Sequence, residues 1–310
     1  MSQQERVVAV VVTWNRRDLL AESLRAIQAQ TLPPGRIVVI DNASDDGTAQ
    51  TLRAEFSGLD VITTSTNIGG AGGFALGIDR ALRDDCDAIW LMDDDTVPEP
   101  TALAELLAAR SHYAHSTPAL LASRVVWTDG RDHPMNTPRV KPGAGADETA
   151  EAAAVGCVPI RSASFVSVLL DAATTRDRGL PIADYFLWND DFEFTTRLVR
   201  GHRALYCPAS VVVHKTASFG ATDADPGERF YYEVRNKVWL FTRSRGLSPV
   251  EKALYGGSTL RRWAKTILAS GDRATLLRSL RTGLRAGVRT QPRDTAQVIG
   301  RSTTGRTADG

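Results

Sequence analysis

The sequence predicts an α/β fold, a mostly parallel and doubly wound sheet with helices on both faces, followed by a helical extension. Three observations carry this. Val7 to Thr13 is a continuous apolar, largely β-branched run, as a strand buried on both faces requires. Strand-like and helix-like stretches then alternate at short intervals, which calls for right-handed crossovers between parallel strands. The polar and glycine-rich stretches that follow the strands therefore share the carboxyl edge, where such sheets bind ligands.

After the first strand, Leu19, Leu20, Leu24 and Ile27 recur at helical spacing, and Pro33, Pro34 and Gly35 close the unit. Ile37 to Ile40 is a second strand, running into the polar turn Asp41 to Thr48 and a helix through Phe56. Val61 to Thr64 is a third, followed by a glycine-rich turn, Asn67 to Gly73, and a helix through Leu82. Ala88 to Met92 is the fourth, and it enters Asp93, Asp94 and Asp95 directly. Pro100 to Tyr113 reads as a helix, Ala119 to Trp127 as a strand, and 128–154 as an irregular excursion rich in Pro, Gly and charge. Phe165 to Leu170 returns to the sheet. The aromatic stretch before Asp190 leads into a helix reaching about Arg200, and short strands at 204–206 and 211–213 end at His214. Helices are expected at 230–243, 249–269 and 273–288, then a Thr, Gly and Arg tail without structure.

The 310 residues carry 37 Lys and Arg against 36 Asp and Glu, so net charge names no partner, and no nucleic acid is expected. From Phe241 onward the balance becomes 14 basic to 4 acidic residues, leaving an acidic body with a basic end. Arginines beside Trp263, Ile267, Leu276, Leu277 and Leu284 make an amphipathic surface suited to anionic lipid headgroups, or equally a solvated helix. Cys86, Cys157 and Cys207 lack disulfide or metal spacing, which fits a reducing compartment. With no leader and no apolar run of about 20 residues, the expected location is cytoplasmic, with peripheral contact at the inner face of the membrane.

Three adjacent carboxylates at a buried strand's end repel one another unless a cation offsets them. Alternation in an extended turn makes Asp93 and Asp95 the pair that points one way, and hard oxygen ligands suit Mg2+ or Mn2+. Taken alone, Asp190 and Asp191 before a helix supply favourable charge at its N-terminus, and the aromatics of 230–243 supply core.

In order, VVVTWNR (10–16), VIDNASDDGT (39–48), NIGGAGGFALG (67–77), WLMDDD (90–95) and FLWNDDFEFTTR (186–197) resemble the inverting GT-A glycosyltransferases of family 2, chiefly the actinobacterial galactofuranosyltransferases and then the rhamnosyltransferases. The resemblance spans about 7–215. It implies a Rossmann-like GT-A domain over 1–225, with a nucleotide-sugar half to about 98 and an acceptor half beyond, a helical extension over 226–290 and a tail over 291–310. It implies metal ligation by Asp93, Asp95 and His214. Donor contacts would come from Thr13, Trp14, Asn15, Arg16, Asp41, Asn67, Gly69, Gly70, Asp94 and Arg235. Of the 190–191 doublet, Asp191 would be the base and Asp190 would assist at the acceptor. Trp188 and Glu193 would hold the acceptor. The implied donor is UDP-galactofuranose, with dTDP-rhamnose as the alternative, and the implied acceptor is a lipid-linked or cell-envelope polysaccharide. A noncatalytic scaffold of the same fold would be expected to have lost acids at 93, 95 or 191. A dinucleotide-binding dehydrogenase would carry its glycines after the first strand.

Overall fold

The computed structural model describes residues 5–114, 116–219 and 225–303. Strand β1 (Val7–Thr13) is buried along its whole length. It pairs in parallel with β2 (Arg36–Asp41) on one side and β4 (Ala88–Asp93) on the other, and β2 pairs in parallel with β3 (Asp60–Thr63). The crossovers are α1 (Arg17–Gln28), α2 (Thr48–Glu55) and α3 (Gly69–Arg83). Successive strand residues face opposite sides, so Val7, Ala9 and Val11 pack with Leu20, Leu24 and Ile27 of α1, while Val8, Val10 and Val12 join Phe74 and Ile78 of α3. The glycine-rich stretch is the start of α3 and not the expected turn. Its glycines permit close packing: a Cβ at Gly77 would lie 2.3 Å from Val10 Cγ1 and one at Gly73 2.5 Å from Val12 Cγ1.

Past β4 the sheet is mixed. β9 (Ser167–Asp171) is antiparallel to both β4 and β6 (Leu120–Val126), which it separates, and β6 runs parallel to β10 (Ala204–His214). The two short strands expected at 204–206 and 211–213 are this one strand, with an irregularity between Cys207 and Val211. β5 (Thr96–Pro98) pairs antiparallel with the end of β10, and α4 (Ala102–His112) follows it. The 128–154 excursion is more regular than expected, holding β7 (Arg139–Val140) and α5 (Ala146–Ala154). β8 (Val158–Ser162) escapes a sequence reading because Pro159 and Arg161 break its apolar run. After α6 (Ala172–Arg178), α7 (Asp190–Leu198) begins at the expected acidic doublet.

The C-terminal layer comprises α8 (Phe230–Thr242), α9 (Pro249–Ala269), α10 (Arg273–Arg289) and α11 (Thr295–Thr303). α9 starts with a full capping box, Ser248 with Glu251, and Pro249 in its first turn. α11 lies where an unstructured tail was expected: Val298 and Ile299 are buried with α3 residues, and Ser65 N donates to Ser302 O at 2.9 Å. Two apolar residues are too few to register as a helix face in a polar stretch. The remainder of that tail, 304–310, lies outside the described residues.

Candidate active site

Asp93 closes β4, and the chain turns through Asp94 and Asp95 into β5. Because β5 pairs with the end of β10, Thr96 lies opposite His214, and a side chain remote in sequence reaches the acidic turn. Ligand atoms of Asp93, Asp95 and His214 lie within 4.8 Å of one another. His214 Nδ1 is 2.9 Å from Asn136 Oδ1, and Asn136 Nδ2 donates to Ser164 Oγ at 3.0 Å. With the amide nitrogen so engaged, its oxygen accepts from Nδ1–H, and Nε2 is left with its lone pair. Nε2 lies 3.0 Å from Asp95 Oδ1, a buried oxygen without a hydrogen-bond partner among the described residues. A proton or a metal ion would relieve two lone pairs placed so closely, and the carboxylate of Asp93 beside them makes the set fit a divalent cation. Two carboxylates and one imidazole suit Mn2+ somewhat better than Mg2+.

The triplet divides its charge unevenly. Burial, then the neighbouring Asp95 and Asp94, push Asp93 well above the ordinary aspartate range. Burial also acts on Asp95, but a proton on His214 Nε2, shared with Oδ1, and the Arg16 guanidinium more than offset it and hold that carboxyl low. Arg16 Nη1 sits 2.5 Å from Asp95 Oδ2 and 3.2 Å from Asp94 Oδ1, with half of its side chain exposed. Asp94, expected near the sugar hydroxyls, is occupied: one oxygen accepts from Thr13 Oγ1 at 2.8 Å and Trp14 N at 3.3 Å, the other from Arg16. Burial raises it to about 6. Its work is to brace the loop after β1. Asn15 ties that loop to the next, its N donating to Ser44 Oγ and its Oδ1 accepting from Asp45 N, while Trp14 stands exposed beside the site.

Asp41 is fully enclosed, and its Oδ1 accepts from Ser44 N at 3.0 Å, so the carboxylate secures the turn. Its neighbours Ser44 and Thr63, with Thr64 and Ser65, line a hydroxyl-rich cavity of about 280 Å³ whose remaining wall is Ser302 and Thr303 of α11. Asn67 Oδ1 caps Gly69 N at 2.7 Å. Gly69, expected at the donor, is a packing residue: its φ is +74°, and a Cβ there would meet Phe186 O at 2.1 Å. At Gly70 a Cβ would meet nothing within 4 Å, so that first turn of α3 stays open to a ligand.

The acids at the start of α7 arrive through a strained loop. Phe186, Trp188 and Asn189 all have φ between 63° and 66°, a costly conformation for residues with side chains. α8 holds it in place. Asn236 Nδ2 shares its hydrogens among Tyr185 O, Leu187 O and Trp188 O at 2.8–2.9 Å, and Arg235 donates to Asp184 O and Tyr185 O. Arg235, expected over the diphosphate, is thus a clamp on this loop, packed between Tyr232 and Trp239. Glu193, expected at the acceptor, is 1% exposed and bonded to Arg197 and Ser244. It is spent inside the protein. Trp188 remains part-exposed, with Arg229 over its ring.

Asp191 opens into a cavity of about 340 Å³ lined also by Asn136, Arg139, Ser164, Phe192 and Lys237. Burial raises its carboxyl, against a 2.6 Å hydrogen bond from Phe192 N and the charges of Lys237 and Arg139. Asp190 is pushed up to about 8 by burial and then by Asp191, and its charge also reaches Asp93. Asn136 therefore touches His214 on one side and lines the Asp191 cavity on the other, and the charge of Asp190 reaches Asp93, so the two acid groups are neighbours, although Asp93, Asp95 and His214 do not line that cavity. Sequence reasoning missed Asn136, Lys237 and the α11 hydroxyls. Only Lys237 left a signal, a lysine at helical spacing from the apolar Phe230 and Val234.

The profile of glycosyl transferase family 2 matches residues 8–153. Galactofuranosyltransferase GlfT1 of Mycobacterium tuberculosis is 31% identical over 257 residues, 77% of this chain and 83% of its own. GlfT1 of Mycolicibacterium smegmatis is 40% identical over 112 residues, 36% of this chain and 37% of its own. Among solved structures, S. aureus TarS 1–349 in complex with UDP aligns with a TM-score of 0.59 at 14% identity, over 97% of this chain and 92% of that one. The mannosyltransferase PcManGT from Pyrobaculum calidifontis, in complex with GDP-Man and Mn2+, aligns at 0.56 and 19%, over 96% and 79%. The chain belongs to glycosyl transferase family 2, as a GT-A glycosyltransferase similar to the mycobacterial galactofuranosyltransferases.

Proposed function

We propose that this glycosyltransferase is metal-dependent and inverting, and that it moves galactofuranose from UDP-galactofuranose onto a lipid-linked or cell-envelope glycan. The observation that supports the reading is the place of Asn136, which bonds His214 of the Asp93, Asp95 and His214 set and also lines the cavity that holds Asp191. The choice of galactofuranose rests on the likeness to GlfT1.

Asp93, Asp95 and His214 would hold the cation. When bound, it supplies positive charge opposite the departing diphosphate. The nucleoside fits the hydroxyl-rich cavity between β2, β3 and α11, and half-exposed Arg16 is placed to meet phosphate. Asp191 takes the proton of the acceptor hydroxyl as that oxygen bonds to the anomeric carbon. The bond from this carbon to the diphosphate oxygen breaks, and its electron pair leaves on UDP. One displacement from the opposite face inverts the centre, and no glycosyl-enzyme forms. On α9 and α10, exposed Leu254, Leu268, Leu277 and Val288 alternate with Arg261, Lys265, Arg281 and Arg285, which supports peripheral contact with an anionic membrane. Among the described residues no helix is long and apolar enough to cross one.

The test is a panel of UDP-galactofuranose, dTDP-rhamnose, UDP-GlcNAc and GDP-mannose, each with Mn2+ or EDTA, read by thermal shift and donor hydrolysis. UDP sugars should stabilise the protein with metal alone, and UDP-galactofuranose should be hydrolysed. Stabilisation by dTDP-rhamnose only would replace the donor, and full activity in EDTA would remove the metal.

A further inference from the structure

Lys237 is a physical anomaly. It lies on α8 with 6% of its surface exposed, and among the described residues it has no hydrogen bond and no ion pair. Its ammonium rests over the Phe192 ring at 4.6 Å, with Phe241 at 6.0 Å. A buried ammonium without a carboxylate partner costs several kcal/mol unless something compensates it, and a methionine would fill the same space without that cost. What the amine does face is the cavity that contains Asp191.

The charges around that cavity come from four elements. α7 contributes Asp191, with Asp190 behind it, and β7 contributes Arg139, whose guanidinium lies 5.3 Å from the centre of the same Phe192 ring. α9 contributes Arg262, already paired with Glu233 of α8. α8 contributes Lys237 itself. Among the described residues two cations near Asp191, Lys237 and the more exposed Arg139, form no ion pair; Glu233 also acts on Lys237 from one turn away but is itself paired with Arg262, and the better buried of the two cations is screened less by water.

We propose that Lys237 is a positioning residue for Asp191, its buried ammonium serving as the counter-charge that keeps the carboxylate ionised and ready to accept a proton. The role rests on Asp191 being the base. Burial alone would protonate that carboxyl and disable it, whereas a directly bonded cation would bind it too firmly to accept a proton. An ammonium held nearby by aromatic rings and not by hydrogen bonds lies between these extremes. Burial brings Lys237 itself down to about 8, so it stays charged at neutral pH.

The test compares full-length parent, Lys237→Met and Lys237→Arg in transfer assays from pH 5 to 9 at saturating donor, with UDP affinity and Tm as controls. Removing the positive neighbour raises the Asp191 carboxyl, so the acid limb of kcat for Lys237→Met should move up by about one pH unit, a roughly tenfold loss of ionised base at the foot of the profile. UDP affinity should stay within about twofold, and Lys237→Arg should restore the limb. A Lys237→Met limb that coincides with the parent's overturns the proposal, whether the rate is unchanged or the loss appears as a raised acceptor KM, which would make Lys237 an acceptor contact. If Lys237→Met does not fold, a Lys237→Arg limb displaced as far as in Lys237→Gln overturns it equally. Asp191→Asn separates this from failure of the underlying reading: parent-level transfer there removes the base itself, whereas a dead Asp191→Asn beside an unmoved Lys237→Met limb removes only the role of Lys237.

Discussion

The acids at 93–95 and those at 190–191 lie near one another but carry their charge in opposite ways. The first group is met by hard partners: Arg16 bridges Asp94 and Asp95, Thr13 bonds Asp94, and His214 Nε2 lies 3.0 Å from Asp95 Oδ1. Its members titrate apart, Asp93 up and Asp95 down. The second group is met softly, by backbone N–H groups and cations that do not touch it, and both of its members are pushed up. Pinned carboxylates with an unsatisfied lone pair suit a metal ion, while loosely compensated ones suit a proton that comes and goes. Substitution can break this contrast at either end.

The largest effect should come from Asp191→Asn, which keeps the shape and removes the proton acceptor. Transfer should fall by about 10³-fold in kcat, while UDP and Mn2+ affinities stay within about twofold of the parent by calorimetry. Loss of nucleotide binding would mean that the two groups are not separate devices.

Next comes the metal side. His214→Ala should weaken Mn2+ binding in the presence of UDP by about 100-fold, and Asn136→Ala, which frees the imidazole to rotate, by about tenfold. Titration calorimetry measures both. Equal effects would show that Asn136 does more than orient the ring, and no effect from either would confine metal binding to the carboxylates.

How much of this could be read in the sequence depended on whether a residue's role is local. Asp93 and Asp95 were legible because a buried strand ending in three acids is itself a contradiction that needs an explanation. α9 and α10 were legible from apolar spacing, while the Ser248–Glu251 cap that fixes the start of α9 emerged only with the structure. The direction of β9 was not, since periodicity marks a strand but not its orientation. Asn136 was invisible for another reason: an asparagine in a Pro- and Gly-rich stretch is ordinary, and only the fold brings it to His214. Family likeness conveys that Arg235, Gly69 and Glu193 matter without saying whether each holds a ligand or the loop beside one, and the contacts they make are with the 184–188 loop and the interior. Lys237 was readable in principle, as a charge on an apolar helix face.

The smallest and most discriminating effect concerns stability. A carboxyl raised to about 8 in the folded protein contributes stability below its unfolded value of about 4, and that stability is lost as pH rises toward the folded value. At pH 7.5 the fold therefore bears the cost of Asp190, and Asp190→Asn should raise Tm there by about 4 °C or more in metal-free protein. At pH 4 the gain should vanish, because the parent carboxyl is then protonated in the folded state. The same substitution at Asp94, also raised but bonded to Thr13, Trp14 and Arg16, should give no such gain, since it breaks contacts that the charge sustains. Scanning calorimetry at the two pH values decides between them. A gain at both would reduce Asp190→Asn to better packing, and a gain in neither would mean that the two acid groups bear their charge alike.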